Sequence, residues 1–349
     1  MNGKRTKLVL IGAGSAVFTK GLVADMIRDT ALGPWTLGLC DIDPEALETA
    51  EGLCRRMVAA TGADIEIVAS EDRRDLLPGA DVVVTTIGVG KRRAWEADVF
   101  IPRKYGIFQP VGDTVMPGGI SRAMRMIPAL VAIAEDAGRL CPGAWFFNYS
   151  NPMTANCWAV RKATGVPVVG LCHGTHDVSR QLARFVGAPP DEIHTRFAGL
   201  NHLTFIHDLR WQGRDMWSVA RQKLAAGTPD AFATENPFSW SLFEAYAAYP
   251  SANDRHVTEF FPHFFPGGLY DGKRLGLEVM SIEETIQWGD DCYAEMKEHA
   301  LSKEALPDGY FDRAVGEHEQ VLDIIEDIRR DAGTVYSANL PNAGQVPNL

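Results

Sequence analysis

The chain has 349 residues, 46% of them hydrophobic, and a formal net charge of −11. That is ample for a large core shared by two packed domains, and the acidic balance argues against nonspecific binding to nucleic acid or an anionic membrane. It leaves an anionic small molecule open, because local arginines override a global charge, and six cysteines without a tight repeat point to a reducing, cytoplasmic setting.

Residues 7–11 form a short apolar run that predicts a strand buried on both faces. It ends in glycines after a few residues, which is neither a secretory segment nor a membrane span. Gly12, Ala13, Gly14 and Ser15 follow, and a helix is predicted over 15–28. Glycine there lets backbone N–H groups approach a pyrophosphate, and the helix N-terminus favours its charge. LGLCDID (37–43) predicts the second strand, with Asp41 at its end. An acidic group at that place accepts hydrogen bonds from the ribose of NAD and repels the 2′-phosphate of NADP. Phe18 stands where the dinucleotide fingerprint has its third glycine. The residues therefore fit dinucleotide binding, or an α/β domain with a tight glycine turn and a solvated aspartate.

Further helical periodicity covers 44–60, and strands are predicted over 65–69 and 81–87. The loop after a strand such as DVVVTTI faces the cofactor crevice of a doubly wound sheet. Arg92 and Arg93, just beyond it, either reach an anionic group or lie on the surface. Residues 98–120 read as a long ordered loop stiffened by Pro102, Pro110 and Pro117. An amphipathic helix is expected over 121–138, capped by Ser121. AWFFNYSNP (144–152) is a strand running into a polar turn. Asn148 and Asn151 donate and accept at once, as an amide or a sugar requires, or they simply build an Asx-turn.

A strand over 166–171 leads into Cys172, His173, His176 and Asp177, and residues 197–210 form an apolar strand pattern interrupted by Asn201 and His202. Cys172 and His202 are not at zinc-finger spacing, but a strand–helix–strand unit can bring them together. A thiolate with an imidazole suits a borderline divalent ion; the alternative is a buried thiol beside hydrogen-bonded histidines. Residues 211–250 predict a charged helix and an aromatic one, whose span from Trp240 to Tyr249 is an interface candidate on hydrophobicity alone. Residues 251–270 gather Asp254, Arg255, His256, Glu259 and His263 among phenylalanines, a composition that suits either a pocket lining or a surface rim. Helices follow over 281–300 and 316–332, and the chain ends irregularly.

Taken together, GAGSAVFT, IPRKYGIFQPVGDT with PGGI and RAMRMIP, NYSNPMT, GLCHG, NHLTF and ANLPNAGQVPNL resemble glycoside hydrolase family 4 over nearly the whole chain. That family is an exception to two-carboxylate glycosidase chemistry. The resemblance implies an N-terminal Rossmann-like doubly wound parallel sheet and a second α+β domain of the lactate/malate dehydrogenase-like kind. It implies NAD and a divalent metal, usually Mn2+, as cofactors, and a homodimer or homotetramer. Gly12, Gly14, Ser15 and Phe18 would line the dinucleotide loop, Asp41 would hold the ribose, and Asn148 would contact cofactor and, with Asn151, substrate. Cys172 and His202 would be the metal ligands. The domains would be 1–198, binding NAD, and 199–349, carrying substrate, metal and oligomer contacts, with the family's usual C-terminal tail expected beyond Leu349.

The QPVGDT loop and the DRHVTEFFPHF segment resemble members that act on non-phosphorylated α-galactosides and α-uronides. A uronate carboxylate would pair with Arg92, Arg93 or Arg255. His173 replaces the aspartate that follows the metal cysteine in phospho-α-glucosidase-like members, and Phe260 stands where a tyrosine base is common. His173, Asp254 and His256 are therefore the catalytic candidates, with Tyr246 and Tyr249 nearby. Met116 stands where the family usually has glycine. The expected activity is hydrolysis of an α-glycosidic bond through transient oxidation at C3. The alternatives are a net sugar or 2-hydroxy-acid dehydrogenase and an inactive NAD-binding protein.

Overall fold

Short runs that are apolar on both faces are stable only in a sheet covered on both sides. The computed structural model, which describes residues 5–28, 33–227, 230–307, 309–311 and 320–346, places them there. Strands β1 (Thr6–Ile11), β2 (Trp35–Cys40), β3 (Ile65–Ser70), β4 (Val82–Thr85), β5 (Trp145–Asn148) and β6 (Val168–Gly170) pair in parallel. Their order is β3-β2-β1-β4-β5-β6, the Rossmann-like order expected from the sequence, and it reverses between β1 and β4.

The associated helices are α1 (Ala16–Arg28), α2 (Pro44–Thr61), α3 (Arg73–Leu76), α4 (Lys91–Arg103), α5 (Met116–Leu140) and α6 (Met153–Thr164). Leu8, Leu10, Leu37, Leu39, Val84 and Phe147 of the sheet share one buried cluster with Leu53, Cys54 and Met57 of α2. The ends of α2 follow from its sequence. Asp43 accepts from the Glu45 and Ala46 N–H groups at 3.0 and 3.2 Å, Pro44 opens the first turn, and Gly62 closes the helix in the left-handed conformation.

The stretch 98–120 is less of a loop than its composition suggests. Helix α4 runs on to Arg103 and α5 begins at Met116, so Ser121 lies inside α5 and not at its cap. The glycine pair permits the early start. A Cβ on Gly119 would lie 2.3 Å from the Thr114 carbonyl carbon, and one on Gly118 would lie 2.6 Å from the Gly112 oxygen. Met116 opens the helix at φ 60°, a conformation that glycine adopts without steric cost.

The chain divides into two compact units, one of Met1–Glu96, Ser121–Leu171 and Glu283–Leu340, the other of Ala97–Ile120, Cys172–Ile282 and Pro341–Leu349. In the second, α7 (Gly174–Val186) precedes β7 (Ile193–Leu200), β8 (Leu203–Trp211) and β9 (Arg214–Asp215). Then come α8 (Trp217–Ala225), α9 (Ala231–Glu235), α10 (Pro237–Tyr246), β10 (Tyr249–Ser251), α11 (Asn253–Phe260), β11 (Leu269–Tyr270) and β12 (Lys273–Arg274). Strands β10, β8 and β7 form an antiparallel sheet, with β9 on β8. The interruption of the strand pattern over 197–210 is thus a hairpin, with Asn201 and His202 as its two-residue turn.

Most of the large aromatics in the stretch from Trp240 to Tyr249 are core in this unit. Trp240, Phe243 and Tyr249 pack with Phe185 of α7, Leu209 of β8 and Trp217 of α8, and among the aromatics of the stretch Tyr246 is the exposed one. Hydrophobicity alone does not separate core from interface. Helices α12 (Ile282–Leu301) and α13 (Gln320–Arg330) complete the first unit, whose core takes Val321, Leu322 and Ile325 from α13. Residues 316–319 of the helical stretch expected at 316–332, and the last three of ANLPNAGQVPNL, lie outside the described residues. Among the described residues no helix is long and apolar enough to cross a membrane.

Candidate active site

In the first unit, β1 delivers the chain into a turn that only glycine can make. Gly12 has φ 97°, and a Cβ there would lie 2.8 Å from the Ile87 nitrogen. A Cβ on Gly14 would lie 2.6 Å from that of Ala46. Ser15 directly precedes α1, and its carbonyl accepts the Thr19 N–H at 3.0 Å. Asp41 holds the turn, accepting from the Gly14 N–H at 2.8 Å and the Asp43 N–H at 3.0 Å. A carboxylate oxygen has a second lone pair, so this arrangement is compatible with a ribose diol. Phe18 packs its ring 5.2 Å from that of Tyr149, which accounts for a large residue at the third fingerprint position.

Asn148, at the end of β5, is turned inward. Its Oδ1 accepts from Thr85 Oγ1 at 3.0 Å and the Ser150 N–H at 3.1 Å, and its Nδ2 donates to the Ser150 carbonyl at 2.9 Å. The side chain holds the 148–151 turn in shape. Asn151 offers its carbonyl to Arg122 Nε at 3.2 Å. Arg92 and Arg93 both pair with Asp290, so neither is an uncommitted anion receptor.

The second unit assembles the chemistry. The β7–β8 turn holds His202 in the left-handed region, φ 65°, and the start of α7 presents Cys172 to it, with Cys172 Sγ 3.7 Å from His202 Nε2. Two ligands of a tetrahedral zinc-like ion, with bonds of about 2.3 Å to sulfur and about 2.0–2.1 Å to nitrogen, stand about 3.6 Å apart, so the pair is close enough to share one divalent ion. The thiol is prepared for it. Burial alone would push the Cys172 thiol up, but the His202 imidazole, the Gly174 N–H at 3.4 Å and Asn201 outweigh burial and bring it down to about 7. For His202, burial opposes the positive charge, but Cys172, Asp113 and Glu259 raise the imidazole above its ordinary value.

Around this pair stand groups from two distant segments. Thr114 Oγ1 lies 2.7 Å from His202 Nδ1, and Asp113 Oδ1 lies 3.8 Å from the same nitrogen. His256, on α11, stacks on His202 with ring centroids 3.7 Å apart. Burial and the neighbouring His202 charge push His256 down to about 3, and its Nδ1 has no hydrogen-bond partner. It is a neutral imidazole that resists protonation. Glu259 accepts the Val111 and Gly112 N–H groups on one oxygen, at 2.8 and 2.7 Å, and burial pushes it up to about 8. Burial also lowers Arg255, against the opposing charges of Asp113 and Glu259. Asp113, His202 and His256 can bring one ligand atom each within 4.8 Å of one another, a second set able to hold a cation.

His173 caps α7 without a side-chain cap bond, and its charge opposes the burial that raises Asp177 one turn on. Asp254 is elsewhere in character. Its carboxylate is fully buried and accepts from the Phe238 N–H at 2.9 Å, the Ser239 N–H at 2.7 Å, Ser239 Oγ at 2.5 Å and the Tyr270 hydroxyl. It clamps the first turn of α10. Tyr249 is a core residue, and Tyr246 packs its ring on Phe205.

Sequence reasoning did not single out Asp113 or Thr114, and it named Glu259 only among the charged residues of 251–270 that suit a pocket lining or a surface rim. The helical period carried part of that signal: His256 and Glu259 are three apart on α11 and share a face, whereas Asp254 and His256 are two apart and diverge.

Comparison with known proteins places the fold in a family. Residues 7–188 match the profile of the family 4 glycosyl hydrolases, and residues 197–349 match that of the family's C-terminal domain. An α-galactosidase of Bacillus subtilis is 31% identical over 98% of this chain and 78% of its own length. An α-galacturonidase of Thermoanaerobacter italicus is likewise 31% identical, over 98% and 78%. The crystal structure of lplD from Bacillus subtilis superposes with a TM-score of 0.84 at 28% identity, over 99% of this chain and 81% of that one. A 6-phospho-α-glucosidase from gut microorganisms, solved with NAD and Mn2+, shares the fold at 18% identity, TM-score 0.78, over 99% and 80%.

Proposed function

The chain belongs to glycosyl hydrolase family 4, and from that premise we propose that it cleaves α-galacturonides with the help of NAD and a divalent metal held by Cys172 and His202. The observation that carries the metal reading is the 3.7 Å approach of a lowered thiol to an imidazole nitrogen. The α-galacto configuration is supported by the α-galactosidase and α-galacturonidase relatives. The carboxylate at C6 is supported by Arg255, whose guanidinium offers the planar fork that a carboxylate matches.

A bound nicotinamide would accept a hydride from the sugar C3 and return it to the same carbon after elimination of the aglycon and addition of water, and a bound metal would supply the Lewis acid that makes the C2 proton removable, so that the cofactor is recycled and the net change is hydrolysis. The residues divide the remaining work. Gly12, Gly14 and Ser15 give the pyrophosphate a close approach to the start of α1, and Asp41 takes the ribose and disfavours a 2′-phosphate. Asn148 keeps the turn of Asn151 rigid. His256, stacked on His202 and held neutral by burial, is placed to hydrogen-bond the sugar rather than to hold the C2 proton, because an imidazole pushed down to about 3 is a weak base near neutral pH. His173, beside the metal thiolate in sequence, donates to the departing oxygen. Asp254 keeps α11 against α10 and so sets where His256 stands.

The test is a panel of chromogenic α-galacturonide, α-glucuronide, α-galactoside and α-glucoside with NAD+, Mn2+ and a thiol reductant. The α-galacturonide is expected to turn over fastest, only with both cofactors, and with no accumulation of NADH. Preference for the neutral α-galactoside would remove the role of Arg255. NADH formed one-for-one with an oxidised sugar would make the protein a dehydrogenase.

A further inference from the structure

His202 offers a metal two edges. Its Nε2 faces Cys172, while its Nδ1 faces Asp113 and Thr114 in the neighbourhood of His256. Both edges have plausible donors, and one neutral imidazole has only one lone pair to give. The loop 111–114 decides between them.

Thr114 Oγ1 lies 2.7 Å from Asp113 Oδ1 and 2.7 Å from His202 Nδ1. A hydroxyl has one proton, and Thr114 Oγ1 donates it to Asp113 Oδ1. The threonine proton is therefore committed to Asp113, and Thr114 can meet His202 only as an acceptor. His202 Nδ1 must carry a hydrogen, which leaves the Nε2 lone pair on the Cys172 side. We infer that Thr114 is a positioning residue that fixes the tautomer of His202 and directs the metal to the Nε2–Cys172 edge. The inference rests on the metal reading proposed above.

The surroundings suit that task. His202 sits in a strained left-handed turn, so its ring needs a tether beyond the backbone. The tether is itself immobilised. Glu259 holds the Val111 and Gly112 N–H groups, and Gly119 lets the α5 backbone press directly on Thr114. Asp113 acts here through Thr114, not as a ligand. Partners that orient a ligating histidine are typically worth about 10–100-fold in metal affinity.

Cobalt(II) tests this without turnover, because a thiolate ligand gives it a charge-transfer absorption. The full chain, reduced and metal-free, is titrated with Co2+ as wild type, Cys172→Ser, Thr114→Val and Thr114→Ser. The wild type is expected to develop the thiolate band and Cys172→Ser to lack it. Thr114→Val should reach the same band with an affinity lower by about 10–100-fold, and Thr114→Ser should restore it. Equal affinity of Thr114→Val and wild type, with the band present in both, overturns the role of Thr114 alone. A wild-type cobalt complex without the band puts the ion on the Asp113–His256 edge and overturns the underlying metal reading with it. Should the valine variant not fold, Thr114→Ala, which removes the hydroxyl without adding bulk, gives the same comparison against Thr114→Ser.

Discussion

Replacing Cys172 by serine is expected to abolish metal-dependent turnover while leaving the fold intact. The side chain is only partly buried and serine fits its space, so stability is not at stake. What is lost is a charged, soft ligand. A serine hydroxyl stays protonated near neutral pH and gives His202 no counter-charge. A Lewis acid in such a site contributes several kcal/mol, and about 4 kcal/mol corresponds to roughly 10³-fold in rate. Calorimetric Mn2+ affinity and kcat should fall together, and a Cys172→Ser variant that kept both would rule out the ligand.

The same pair sets a pH dependence. The Cys172 thiol is brought down to about 7 and the His202 imidazole is raised, so below neutrality both hold protons that the metal must displace. Metal affinity should be highest above about pH 7 and weaken as the pH falls through it, whereas in Cys172→Ser the thiol contribution to that step disappears.

Asp254→Ala is expected to be the most destabilising of the site-region substitutions. The carboxylate is fully buried and satisfies four donors, among them the Phe238 and Ser239 N–H groups that open α10. Those groups have no helical partner of their own, and a negative charge beside them also meets the positive end of the helix. Removing it strands buried donors, a loss of about 3–5 kcal/mol. At about 2–4 °C per kcal/mol for a unit of this size, the melting temperature should drop by roughly 6–20 °C. Asp254→Asn, which keeps acceptor oxygen but no charge, should fall between. An Asp254→Ala protein that melts as wild type yet loses only kcat would return this residue to the catalytic set.

The Rossmann-like half was legible because its signals are local. Each buried strand is a short apolar run, and Gly12, Gly14 and Asp41 occupy fixed places after the first two. Cys172 and His202 were legible as types and by motif, and the break at Asn201 and His202 in the strand pattern was visible, but that this break is the tight turn of a hairpin depends on the pairing of β7 with β8. Asp113 and Thr114 were not legible as ligand-orienting groups. They sit in a stretch that read as a loop, and their partners lie on β7–β8 and α11, far away in sequence. Asp254 and His256 looked equivalent as neighbours in one polar segment. Helix geometry separates them, sending one to clamp α10 and the other to stack on His202.

The most direct measurement is the hydrogen content of the sugar released in D2O. With NAD+, Mn2+ and an α-galacturonide, the account predicts one carbon-bound deuterium at C2 of the product for each bond cleaved, seen by mass spectrometry and proton NMR, with no net NADH. A product that keeps its original hydrogen at C2 while the bond is cleaved would mean direct displacement at C1, and would contradict the oxidation–elimination chemistry assigned to this site.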